Sequence, residues 1–121
     1  MAAELKTRTK CFALDVIRLF STLPKRTEAQ VLGRQLLDSG TSVGAQYREA
    51  QRAKSDRDFI SKIEGSLQEL EETEYWLELL VESGLSQAER IKALQQETNE
   101  LISVFVTIVK NTKLRSKKSE T

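Results

Sequence analysis

Apolar residues recur along this chain at intervals of three and four. Phe12, Val16, Leu19, Phe20 and Leu23 fall at i, i+4, i+7, i+8 and i+11, one stripe of an amphipathic helix. Pro24 stops that helix, because proline disfavours helical geometry at the residue before it. Thr27 to Gln30 read as a capping box, the threonine covering free N–H groups and Gln30 reaching back. A second helix then carries Leu32, Leu36, Val43 and Tyr47 to about Gln51. Ser55 is the next N-cap, with Asp56 and Asp58 in the first turn where the helix dipole favours carboxylates. Ile60, Ile63, Leu67, Leu70, Leu77 and Val81 continue the spacing to Ser83 and Gly84, a glycine suited to a left-handed C-cap. Ser86 to Glu89 form another capping box, and Ile91, Leu94, Leu101, Phe105 and Ile108 carry the last stripe. The β-branched run from Ile102 to Val109 has no second strand to pair with, so it too reads as helix. The pattern predicts one domain with helices over about 7–23, 28–51, 56–83 and 87–112, followed by a basic flexible tail over 113–121. Connections of about three to five residues force neighbouring helices antiparallel. The expected fold is all-α, an antiparallel up-down-up-down four-helix bundle.

Two polar residues interrupt the seams. Glu74 stands between Leu70 and Leu77, and Thr98 stands between Leu94 and Leu101. A carboxylate facing a core needs a partner, because an isolated buried charge is very costly. Arg34 and Gln35 lie at a similar height on helix two, so Arg34, Glu74 and Thr98 form a candidate buried polar layer that fixes helix register. A metal or ligand site of Glu64, Glu71, Glu74 and Glu78 is a sharper alternative, weakened by the lack of histidine and by outward positions for Glu71 and Glu78. Helix two also holds Gly33, Ser39, Gly40, Thr41, Ser42, Gly44 and Ala45. Glycine costs about 1 kcal/mol against alanine in a helix, and close helix approach is the expected compensation.

Helices three and four are apolar around most of their circumference. Tyr75, Trp76, Leu79 and Leu80 on one, with Val104 and Val106 on the other, exceed what one core-facing stripe requires. A helix apolar on all sides is buried on all sides. These six residues are therefore the candidate interface of a homo-oligomer.

Composition narrows the chemistry. The 121 residues include no histidine, one cysteine and one proline. No Ser-His-Asp or Cys-His nucleophile, no His-containing zinc site and no internal disulfide can be built from them. Phosphate-loop, dinucleotide-binding and nucleophile-elbow motifs are absent. The chain reads as a non-enzyme, with no catalytic residue, no metal and no cofactor. Cys11, beside Phe12 in a helical pattern, is expected to be a buried or half-buried structural thiol. The first residues lack the apolar core of a secretory signal, and no stretch approaches the ~20 residues of a membrane span. A cytoplasmic protein, with no membrane partner, is the expectation.

The formal net charge is +1, and the bundle topology takes that number apart. Helix one's start, helix two's end, helix three's start and helix four's end share one end of the molecule. Of the 19 Lys and Arg, 13 fall there against five of the 18 Asp and Glu, about +8, leaving the remainder near −7. Between Glu64 and Glu89 there is no Lys or Arg. Arg48, Arg52, Lys54, Arg57, Lys62, Lys110, Lys113, Arg115, Lys117 and Lys118 are the candidate nucleic-acid-binding residues. A basic end attracts polyanions by steering and by phosphate contacts. Without a base-reading motif, such binding is directed to backbone or shape.

Three segments carry a resemblance. QLLDSGTSVGAQYRE over residues 35–49, SDRDFISK over 55–62 and ELEETEYWLELL over 69–80 together resemble the four-helix-bundle family of 23S ribosomal-RNA intervening-sequence proteins. The resemblance covers roughly residues 8–113. Where the family commonly has asparagine, this chain has Gln46. The resemblance implies a cytosolic, non-enzymatic bundle that assembles as a ring-like homopentamer, with ribosomal RNA as a partner. Accessory proteins of diversity-generating retroelements, which are basic pentameric barrels working with a reverse transcriptase, are structurally similar to that family. The function expected first is binding of RNA or another nucleic acid through the basic end. The alternative is a protein-interaction scaffold or accessory subunit, such as a reverse-transcriptase partner.

Overall fold

The four apolar stripes meet in one core. In a computed structural model that describes residues 2–119, the chain forms α1 (Ala2–Ser21), α2 (Thr27–Gln51), α3 (Asp56–Glu82) and α4 (Ala88–Ser119). Phe12, Val16, Leu36, Leu70, Leu77 and Phe105 are buried at its centre. α1 packs on α2, α2 on α3 and α3 on α4, while α1 and α4 touch sparingly. The bundle is therefore closed on three sides and loose along the fourth. No strand occurs among the described residues, and the run from Ile102 to Val109 lies inside α4.

The helix ends follow the expected chemistry in part. Ser55 caps α3, its Oγ accepting from the Asp58 N–H at 3.0 Å. Gly84 sits at φ +76°, a left-handed conformation that ends α3, and the Ser86 N–H reaches back to the Leu80 carbonyl at 3.1 Å. The other two caps differ from the expectation. Arg26, not Thr27, is the N-cap of α2 and supplies no side-chain cap. Gln30 donates instead to the Pro24 carbonyl at 2.9 Å, and Arg26 pairs with Glu28 at 2.8 Å. A hydrogen bond from its own backbone amide, joined by Arg26, holds the Glu28 carboxyl below its ordinary value. Ser86 belongs to the turn after α3, and α4 begins at Ala88.

Three expectations about burial are corrected. The seam of α3 runs through Ile63, Ser66, Leu70, Thr73, Leu77 and Leu80, which leaves Glu74 exposed; Arg34 is exposed as well. The buried polar layer is made of hydroxyls instead. Ser39 Oγ and Thr73 Oγ1 share a hydrogen bond of 2.8 Å across α2 and α3, and Ser66 Oγ donates to the Val43 carbonyl at 3.0 Å. Thr98 is buried as expected, donating to the Leu94 carbonyl at 2.6 Å. A hydroxyl is satisfied by a backbone carbonyl of its own helix or of the one packed against it, whereas a buried carboxylate or guanidinium needs a counter-charge. Second, Leu80 belongs to the core of its own bundle, because it continues the Thr73–Leu77 stripe. Third, Cys11 is exposed, one position before the buried Phe12.

The stretch expected as a flexible tail continues α4 through Ser119, while Glu120 and Thr121 lie outside the described residues. Thr112 is buried, and Lys113 and Arg115 pair with Glu64 and Asp56 of α3 at 3.3 and 3.2 Å. Those ties, and the fit of basic residues to a helix C-terminus, extend the helix.

The glycines of α2 face α1 closely. A Cβ on Gly40 would lie 2.8 Å from Val16 Cγ2, and one on Gly33 would lie 2.8 Å from Phe20 Cδ1. Gly40→Ala gains about 1 kcal/mol of helix propensity but overpacks the α1–α2 seam, which typically costs about 1–3 kcal/mol. Urea denaturation is expected to show a lower midpoint for the variant; a raised midpoint would remove close approach as the reason for the glycine.

Candidate nucleic-acid interface

The antiparallel topology brings the start of α1, the end of α2, the start of α3 and the end of α4 together. Arg115 to Asp56 at 3.2 Å and Lys62 to Glu49 at 3.2 Å tie these segments laterally. Beneath them Tyr47 stacks on Phe105, ring centroids 5.8 Å apart and planes inclined by 12°.

The ten candidate cations divide into two groups by their partners. Arg48 is exposed in the last turn of α2, and Arg52, four residues on, is exposed at the C-cap that ends that helix. Lys54 stands in the connection, Arg57 in the first turn of α3, and Lys110 and Lys117 are spaced i, i+7 on α4. These six are exposed and make no ion pair among the described residues. Lys62, Lys113 and Arg115 each hold a carboxylate, and Lys118 is exposed near the end of α4. Exposed ion pairs of this kind contribute about 0–1 kcal/mol, so a phosphate can replace the carboxylate at little cost.

The structure also lowers the charge separation read from sequence. Arg8 donates from Nε and Nη2 to the Glu97 carboxylate at 3.1 and 2.6 Å, and Nη2 lies 3.7 Å from Glu100. The hydrogen bond to Glu97 raises the Arg8 pKa further above its ordinary value. Glu64, Glu97 and Glu100 thus belong with the basic end, and counting them there reduces about +8 to about +5. The acidic remainder persists on α3. There burial, with Glu72 next to it, pushes the Glu69 carboxyl up.

Sequence reasoning missed a groove of about 1040 Å³ at the same end. It opens along the loose α1–α4 side. Leu5, Tyr47, Ala50, Phe59, Val104 and Ile108 give it an apolar lining, and Arg8, Lys54 and Arg115 stand at its edge beside Glu4 and Asp56. Burial raises the Tyr47 phenol above its ordinary pKa. Val104, expected at an oligomer interface, lines this groove and is half-buried. Val106, two residues and about 200° further round the helix, is 47% exposed, and Tyr75 on α3 is 53% exposed. Trp76 and Leu79 are half-buried; the Trp76 indole stands 5.1 Å from the Tyr75 ring, and its Nε1 is buried with no hydrogen-bond partner. The Gln46 side chain lies where a Cβ on Gly65 would run, so its amide belongs to the α2–α3 packing. Glu64, Glu71, Glu74 and Glu78 do not come together as a metal cluster, and none is found among the described residues. No described helix is long and apolar enough to cross a membrane.

Comparison with known proteins bears on this architecture. No curated protein matches the chain. Among solved structures, a protein of unknown function from the S23 ribosomal protein family of Bacteroides thetaiotaomicron VPI-5482 is similar, with 35% identity and a TM-score of 0.84 over 91% of this chain and 99% of that one. A model of the 23S rRNA-intervening sequence protein family matches residues 3–107, which include all of α2 and α3 and most of α1 and α4. The chain belongs to the family of 23S rRNA-intervening sequence proteins.

Proposed function

We propose that the protein is a non-enzymatic, homo-oligomeric bundle, pentameric by its family resemblance, that holds RNA on its basic end in the cytoplasm. The observation that carries the reading is the set of six exposed cations (Arg48, Arg52, Lys54, Arg57, Lys110 and Lys117) without ion pairs among the described residues. They span two helix ends, one helix start and the connection, which suits phosphates spread over a folded RNA rather than a single anion. Phosphate contacts of this kind carry affinity without sequence choice. The family's name, with its 23S ribosomal RNA, supports RNA over other polyanions. The exposed Tyr75 and Val106 support burial of further apolar surface between copies. Repetition around a rotation axis would gather several basic ends on one rim.

Sedimentation with a fluorescent structured RNA at ~150 mM salt tests both parts. The expected result is a protein mass that is a multiple of 13.7 kDa, with the RNA co-sedimenting. A 13.7 kDa species that leaves the RNA behind would contradict the reading.

A further inference from the structure

The groove along the α1–α4 side is contiguous with the basic end, since Lys54 and Arg115 belong to both. Its volume of about 1040 Å³ slightly exceeds the range of small-molecule pockets, roughly 300–1,000 Å³, and has room for a nucleoside. Phe59, half-buried, presents an aromatic ring to it from the first turns of α3. Gln51, Ser103, Thr107 and Asn111 add uncharged hydrogen-bonding groups to an otherwise apolar wall. On α4, Asn111, Arg115 and Lys118 follow one another at i, i+4 and i+7, so one helix face leads from the groove out to the basic tip.

We propose that this groove receives the base of an unpaired nucleotide, whose flanking phosphates lie on the cations at its edge. The inference rests on the RNA-binding reading above and deepens it, making unpaired RNA the preferred class. Apolar walls with an aromatic ring suit the face of any base, and uncharged polar groups suit its edge. Arg8 and Arg115, already paired to Glu97 and Asp56, stand at the edge of the groove, where their side chains still reach solvent. A second copy's helix laid over the groove would desolvate both pairs and bring them no phosphate. Duplex RNA keeps its base faces stacked and out of reach of such a site, whereas a bulge or loop can turn a base out.

The test compares two labelled hairpins, one fully paired and one with a single bulged nucleotide, by fluorescence anisotropy on the full chain. Wild type is expected to bind the bulged hairpin about tenfold more tightly. Phe59→Ala removes the ring, and Thr107→Trp fills the groove from an exposed position that tolerates substitution. Both variants are expected to lose the preference and to bind the paired hairpin as wild type does. Equal binding of the two hairpins by wild type, or a preference that survives Thr107→Trp with helicity intact, overturns the groove assignment and leaves the basic-end reading standing. A changed sedimented mass for Thr107→Trp also overturns it, since the groove would then be covered by a second copy. If neither hairpin binds, the RNA-binding reading itself fails.

Discussion

Replacing Arg48, Arg52, Lys54, Arg57, Lys110 and Lys117 together by glutamine is expected to weaken binding of structured RNA about 10³-fold at ~150 mM salt. The figure follows from counter-ion release. Each neutralised phosphate contributes a slope of about 0.7 to 0.9 in log affinity against log salt, and six contacts compound to three decades or more at that concentration. Stability is expected to change little, because all six are exposed and without ion pairs among the described residues, and glutamine is a good helix former. Anisotropy titration, with circular dichroism as the control for folding, measures both. A loss of less than about tenfold would mean that the six cations are not the main phosphate contacts.

Phe105→Ala is expected to be the most damaging single truncation on α4, at about 3–5 kcal/mol. The ring is fully buried, and its stack on Tyr47 joins α4 to α2 directly beneath the basic end. Its loss removes both transferred apolar surface and a tilt-restricting aromatic contact, and the surrounding helices can relax only partially. Against a total stability of about 5–15 kcal/mol for a domain of this kind, that change is large enough to populate unfolded chain near 37 °C. Because Tyr47 lines the groove, the same variant should lose preference for bulged RNA before it loses phosphate binding. Urea denaturation reads the stability; a cost below about 1 kcal/mol would show that the Tyr47–Phe105 stack does not hold the end together.

The helices were legible because their signal is repeated many times. Phe12, Val16 and Leu19, or Leu94, Leu101 and Phe105, each vote for the same period, and all are buried. The shared end was legible for the same reason: four helices with short connections leave one topology. Glu74 was misplaced because a seam traced from Leu67 to Leu70 runs on to it, whereas the true seam passes through Ser66 and Thr73. Small hydroxyl residues look polar in sequence and behave as core when a carbonyl of their own helix accepts from them, as Glu69 does from Thr73 at 2.8 Å. Leu80 was misplaced because the stripe was carried from Leu77 to Val81, which is half-buried, whereas the buried seam steps from Leu77 to Leu80. The groove left no sequence mark because it arises from a side of the bundle where α1 and α4 fail to close. Ion pairing escaped for a related reason. Arg8 and Glu97 stand 89 residues apart, and no local rule joins them.

The salt dependence of RNA affinity tests the central claim most directly. Titration of wild-type protein with a structured RNA from ~50 to ~200 mM salt should give a log–log slope near −4, about 0.7 for each of six phosphates. A slope close to zero would contradict phosphate binding by the basic end.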